Sequence, residues 1–127
     1  MSGSNKIEQF LYESLNWMRL IDFFNQENSH LKNRLSEVVD KAIDKKIIFN
    51  AERFQNQFIV NDEFINDIGR DIRVNDKNLQ LLKVQEKKPD LKAYKMQKQL
   101  RTELIYLEKE FLKLKNEFNQ YILSIEM

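Results

Sequence analysis

A chain of 127 residues, 42% hydrophobic and 32% charged, has the size of one domain and a soluble, helix-rich composition. Two glycines and one proline are too few turn formers for an all-β or α/β fold, and the lack of cysteine excludes disulfides, thiolate zinc sites and cysteine nucleophiles. A formal charge of +1 exerts no global pull on nucleic acid or an anionic membrane, so any such affinity has to be local.

In chain order, residues 1–4 read as a frayed tail, with Ser4 or Asn5 as the N-cap of a first helix over about 5–43. A heptad follows, with Ile7, Ser14, Ile21, Asn28, Leu35 and Ala42 at a and Phe10, Trp17, Phe24, Leu31, Val38 and Lys45 at d. Glu13, Arg19 and Asp22 interrupt the apolar stretch between Phe10 and Phe24, which argues against a signal-peptide core or a membrane span. Ser2 stands where N-myristoylation needs glycine. The expectation is a cytoplasmic protein with no membrane partner.

A second helix, over about 46–85, carries Ala51, Phe58, Ile65, Ile72 and Leu79 at a and Ile47, Phe54, Asn61, Ile68, Asn75 and Leu82 at d. Its phase is shifted by two residues from the first, a skip that a continuous coiled coil does not absorb. A turn is therefore expected at Ile43-Asp44-Lys45-Lys46. Folding back there aligns the polar breaks in the seams. Asn28 meets Asn61 and Ser14 meets Asn75, because the position numbers of each pair sum to 89. Heptad periodicity forces a to meet d across an antiparallel seam, but it does not force polar residues to coincide.

Pro89 ends the second helix near Gln85 and suits the first turn of a third, over about 89–125, with Asp90 beside the positive end of the helix dipole. The third seam is Ala93, Gln97, Leu100, Leu104, Leu107, Phe111, Leu114, Phe118, Tyr121 and Ile125. Return along the second helix with a layer sum of 172 adds Gln97 to the Ser14/Asn75 layer, and a sum of 179 is the other allowed register. The third helix packs either on its own hairpin or on a partner chain. Leu11, Met18, Val39 and Ile48 make the e edge of the hairpin more apolar than the g edge of Glu13, Glu27, Arg34 and Lys41. Docking on the e edge is expected, with Gly69 giving close approach beside Met18 and Trp17. The fold class is all-α: one helical domain, a long antiparallel three-helix bundle built as a coiled-coil hairpin plus a third helix. With Trp17 in its first helix, this layout resembles spectrin-type repeats in general arrangement, a likeness that implies no function.

Chemical signals are sparse. Glu27-Asn-Ser-His30 has the Glu-x-x-His spacing of di-iron carboxylate bundles, but His30 at c points away from the seam. The remote reading of a metal-binding carboxylate bundle rests on that motif alone, and no cofactor or metal is expected. Asp62, Glu63, Asp67, Asp71 and Asp76 lack a calcium-loop glycine turn and read as a solvated surface. From Lys83 to Arg101 there are seven basic residues against Glu86 and Asp90. Lys88, Lys92, Lys95 and Lys98, with Tyr94 nearby, form a candidate basic patch for a nucleic-acid-associated accessory protein. Phe23, Phe49, Val60, Phe64, Ile105, Leu112 and Leu123 lie outside the seams, and Phe49 and Leu123 fall at one end of the rod as a candidate partner surface. No catalytic constellation is present in the sequence. The reading is a non-enzymatic structural or protein-interaction module that self-associates.

Overall fold

The computed structural model describes residues 2–126, with side-chain surroundings for residues 6–125. It contains three helices, α1 (Ser2–Lys41), α2 (Lys45–Val84) and α3 (Leu91–Glu126), packed as one antiparallel bundle. Forty residues in each of α1 and α2 make a rod on the order of 60 Å long. Helices of that length are stable because apolar stripes meet along their whole span, not because of local propensity. Accordingly, the a and d residues from Ile7 to Leu35 of α1 are all buried, as are those from Ala51 to Leu79 of α2 except for the half-buried Asn61. In α3 the seam from Ala93 to Phe118 is buried, apart from the half-buried Leu114. Near its C-terminal end Ile122, not Ile125, takes the buried place.

The ends are set by capping. Helix α1 starts at Ser2, so residues 2–4 are helical and not a frayed tail. Extending a helix already anchored at Ile7 adds about one hydrogen bond per residue fixed. It stops at Lys41, two residues short of the expected Ile43, and the connection is residues 42–44. Asp44 is the N-cap of α2, in extended conformation, its carboxylate accepting from the Lys46 amide at 2.8 Å.

At the far end, the Lys87 amide donates to Leu82 O at 2.9 Å and that of Glu86 to Lys83 O at 3.0 Å. This is a Schellman closure. Its left-handed position is filled by Glu86, with φ 56°, where glycine is usual. Pro89 lies outside α3 and not in its first turn. Asp90 caps that helix, accepting from the Ala93 amide at 2.8 Å, and the proline precedes the cap.

The third helix docks on the g edge of the hairpin, not the e edge. Glu13 and Glu27, g residues of α1, pair with Arg101 and Lys115 of α3. Phe64, a g residue of α2, meets Tyr106 with ring centroids 6.0 Å apart. Edge apolarity alone misjudges this choice, because two g-edge carboxylates find cations on α3 and the larger apolar mass comes from rings. Phe24 and Phe111 lie 5.2 Å apart between α1 and α3, and Phe118 packs against both Phe54 and Phe58. Each such ring contributes about 1.5–3 kcal/mol of burial. Helix α3 packs more closely on α2 than on α1. The hairpin's e edge, with the half-exposed Val39 and Ile48, stays uncovered.

Candidate interaction surfaces

Two polar layers form, with Asn61 on Asn28 and Gln97 on Asn75, while Asp62 and Lys32 join the first and Ser14 makes no bond in the second. Asn28 is fully buried, and both its amide hydrogens and its oxygen are hydrogen-bonded. Its Nδ2 donates to Phe58 O at 3.0 Å and to Asp62, and its Oδ1 accepts from Asn61 Nδ2 at 3.3 Å. Lys32 closes the layer by pairing with Asp62. The second layer joins Asn75 and Gln97, Nδ2 to Oε1 at 2.8 Å, which fixes the helix-3 register at the sum of 172. Gln97 Nε2 donates onward to Phe10 O at 3.1 Å and to Glu13 at 2.9 Å. Ser14 does not bond Asn75. Its buried hydroxyl faces the Asp76 carboxyl without completing a hydrogen bond.

Two carboxyls on opposite edges titrate in opposite directions. Burial alone would raise Glu13. Hydrogen bonds from Arg101 and Gln97, with the charges of Arg101 and Lys6, outweigh it and hold that group below its ordinary value. Asp76 is raised by burial, which the Ser14 hydroxyl only partly offsets. Asp62 is thus the partner of a buried amide, and Asp76 is half-buried beside the Ser14 hydroxyl, so neither belongs to a solvated acidic face. Asp67 pairs locally with Arg70 at 2.8 Å.

The Glu-x-x-His pair does not converge. Glu27 accepts from Lys115 Nζ at 3.4 Å, while His30 is exposed. Among the described residues, no group of three His, Cys, Asp or Glu side chains is placed to hold a metal ion. Among the same residues, no helix is long and apolar enough to cross a membrane.

Phe49 and Leu123 are both exposed and stand at one level of the rod, since their numbers also sum to 172. They do not share a face. Tyr121 reaches α2, its hydroxyl donating to Ile47 O at 2.7 Å, and Leu123 lies about 200° further around α3. Phe23, Ile105 and Leu112 are exposed as well. Gly69 is buried, but a Cβ there would meet Ile21 Cγ2 at 3.4 Å and Arg73 Nη1 at 3.6 Å, not Met18 or Trp17.

An open groove of about 470 Å³ with a mostly apolar lining runs between α2 and α3, walled by Val60, Phe64, Tyr106 and Leu114. Asn56, Gln57 and Asn61 rim it, and Glu110 is its one charged wall residue. Val60 is 63% and Tyr106 55% exposed. Period-seven spacing hides this groove, since Val60 and Phe64 come from positions c and g and Tyr106 and Leu114 from a helix more than forty residues away.

The basic segment divides. Lys92 faces a cavity shared with Asp71 and Asp90, and Lys88 is exposed in the connection. Lys95 and Lys98 instead line a cleft with Lys6 of α1, a residue that the local charge count did not include. Compared with known proteins, the chain matches no family model, no curated protein and no solved structure.

Proposed function

We propose that this chain is a non-enzymatic helical interaction module that associates with a second copy of itself through the groove between α2 and α3. The observation that supports this reading is the composition of the groove. Aromatic and aliphatic walls supply area to be buried, and the rim is mostly amide. A two-fold interface sets the same patch against itself, residue i meeting residue j and j meeting i. Amides both donate and accept and so tolerate that arrangement, whereas a column of like charges repels across it. The end carrying Phe49 and Leu123 has exposed apolar groups but offers no single face.

Sedimentation equilibrium tests the proposal. The expected result is a concentration-dependent dimer that Val60→Glu and Tyr106→Glu each reduce to monomer while the helical circular dichroism signal is retained. A wild-type chain that stays monomeric at high concentration sinks it.

A further inference from the structure

At the end of the rod where α1 begins and α3 begins, a cleft of about 360 Å³ brings together Lys6, Phe10, Tyr94, Lys95, Lys98 and Arg101. The charges there do not cancel. Glu13, the carboxylate that reaches this region, is held by Arg101 through two hydrogen bonds of 2.7 and 2.8 Å and by Gln97. Glu8 faces Lys83 at 3.8 Å, and Asp90 is occupied in capping α3. Among the described residues Lys6, Lys95 and Lys98 have no ion-pair partner, and the nearby Glu13, which feels the charge of Lys6, is already bonded by Arg101, so three ammonium groups from two helices line one cleft with positive charge in excess. A cluster like this raises the local potential and draws anions, most strongly those with several phosphates.

The cleft also carries a ring. Tyr94 is 45% exposed, set edge-on against Phe10 with centroids 5.3 Å apart. Lys6 Nζ lies 5.2 Å from the Phe10 ring centre and 6.0 Å from that of Tyr94. Phe10 therefore braces Tyr94 from behind while part of its surface faces solvent. Along α3, Tyr94, Lys95 and Lys98 fall within about 6 Å of axial rise. One cation-flanked ring on that length scale suits a nucleotide unit, a phosphate beside a base, better than a carboxylate peptide, which has no face to stack.

We infer that the Lys6/Tyr94/Lys95/Lys98 cleft binds single-stranded nucleic acid, with the lysines on the phosphodiesters and a base stacked on Tyr94. This site is separate from the self-association groove, and none of its residues lines that groove.

Fluorescence anisotropy with a labelled mixed-sequence single-stranded oligonucleotide tests it on the full chain. Binding should weaken steeply with salt. The Lys95→Gln/Lys98→Gln double variant should shift the slope of log K against log salt by about 1.4, two phosphate contacts at about 0.7 each. Tyr94→Ala should cost on the order of tenfold in affinity, and Tyr94→Phe, which keeps the ring, close to nothing. Lys109→Gln/Lys113→Gln on the same helix is the control for net charge. Three results overturn the inference: no oligonucleotide binding at low salt, equal losses in the two double variants, or binding to phosphatidylserine vesicles without binding to the oligonucleotide. Thermal melts of each variant separate loss of the site from loss of the fold.

Discussion

The two long edges of the α1–α2 hairpin differ in a way that runs against their composition. The g edge carries the charges and is covered, whereas the e edge is the more apolar and is left open. Its carboxylates are what make the covered edge coverable. Glu13 and Glu27 meet Arg101 and Lys115, while Phe24, Phe64 and Phe118 supply the apolar area. On the open edge Lys32 and Asp62 satisfy one another across the hairpin, and the apolar groups beside them are too scattered to seat a helix. Charge on a helix edge thus marks solvent only when no opposite charge arrives from elsewhere in the chain.

The largest effect that can break this contrast comes from the ring layer. Phe111→Ala should destabilise the bundle by about 3–5 kcal/mol in urea titrations. A loss below about 1 kcal/mol would mean that α3 is not anchored through Phe24. Next comes Gln97→Leu, which strands the Asn75 amide and should cost about 1–3 kcal/mol. A double-mutant cycle on Asn28→Leu and Asn61→Leu should show coupling of at least about 0.5 kcal/mol. Additivity there would count against the layer that holds the hairpin in register.

Smaller effects separate the two edges by pH. Glu13 has a folded value below its unfolded one, so its contribution is present above about pH 4.5 and is lost as pH falls through the lower folded value. Glu13→Gln should cost about 1 kcal/mol near neutrality, flattening the acid limb of a stability–pH curve. Asp76 has the opposite sign. Its folded value is raised, so the folded state is penalised as pH rises through it, and the penalty vanishes below the unfolded value of 3.8. Asp76→Asn should raise the urea midpoint at neutral pH, a gain that disappears in acid. The smallest change is Gly69→Ala on the open edge, expected to stabilise by about 0.5–1 kcal/mol. The new methyl meets Ile21 at ordinary contact distance.

The hairpin was legible in the sequence because Asn28 and Asn61 interrupt seams that are otherwise apolar, and a shared interruption reports a register. The side on which α3 lies was not legible from edge apolarity. Glu13 and Glu27 look solvated until their partners are known, and both partners stand 88 residues downstream. That repeated separation was the available signal for a parallel α1–α3 pairing. Of the two candidate surfaces, Lys95 and Lys98 were visible as part of a charge run. Lys6 was not, because only the fold brings the start of α1 beside the start of α3. Val60 and Phe64 stood out as apolar residues off the seam, with nothing local to show that Tyr106 and Leu114 would form the opposite wall.

The Asn28 layer also bears on how the chain avoids traps while it folds. Regular heptads allow two long helices to zip together one repeat out of step, and such hairpins bury nearly as much apolar surface as the native one. Slippage by one heptad sets Asn28 against Phe54 or Ile68 and Asn61 against Ile21 or Leu35. Each stranded amide then costs about 1–3 kcal/mol. The two asparagines thereby disfavour slipped hairpins relative to the native register, although the apolar seams alone would hardly tell them apart.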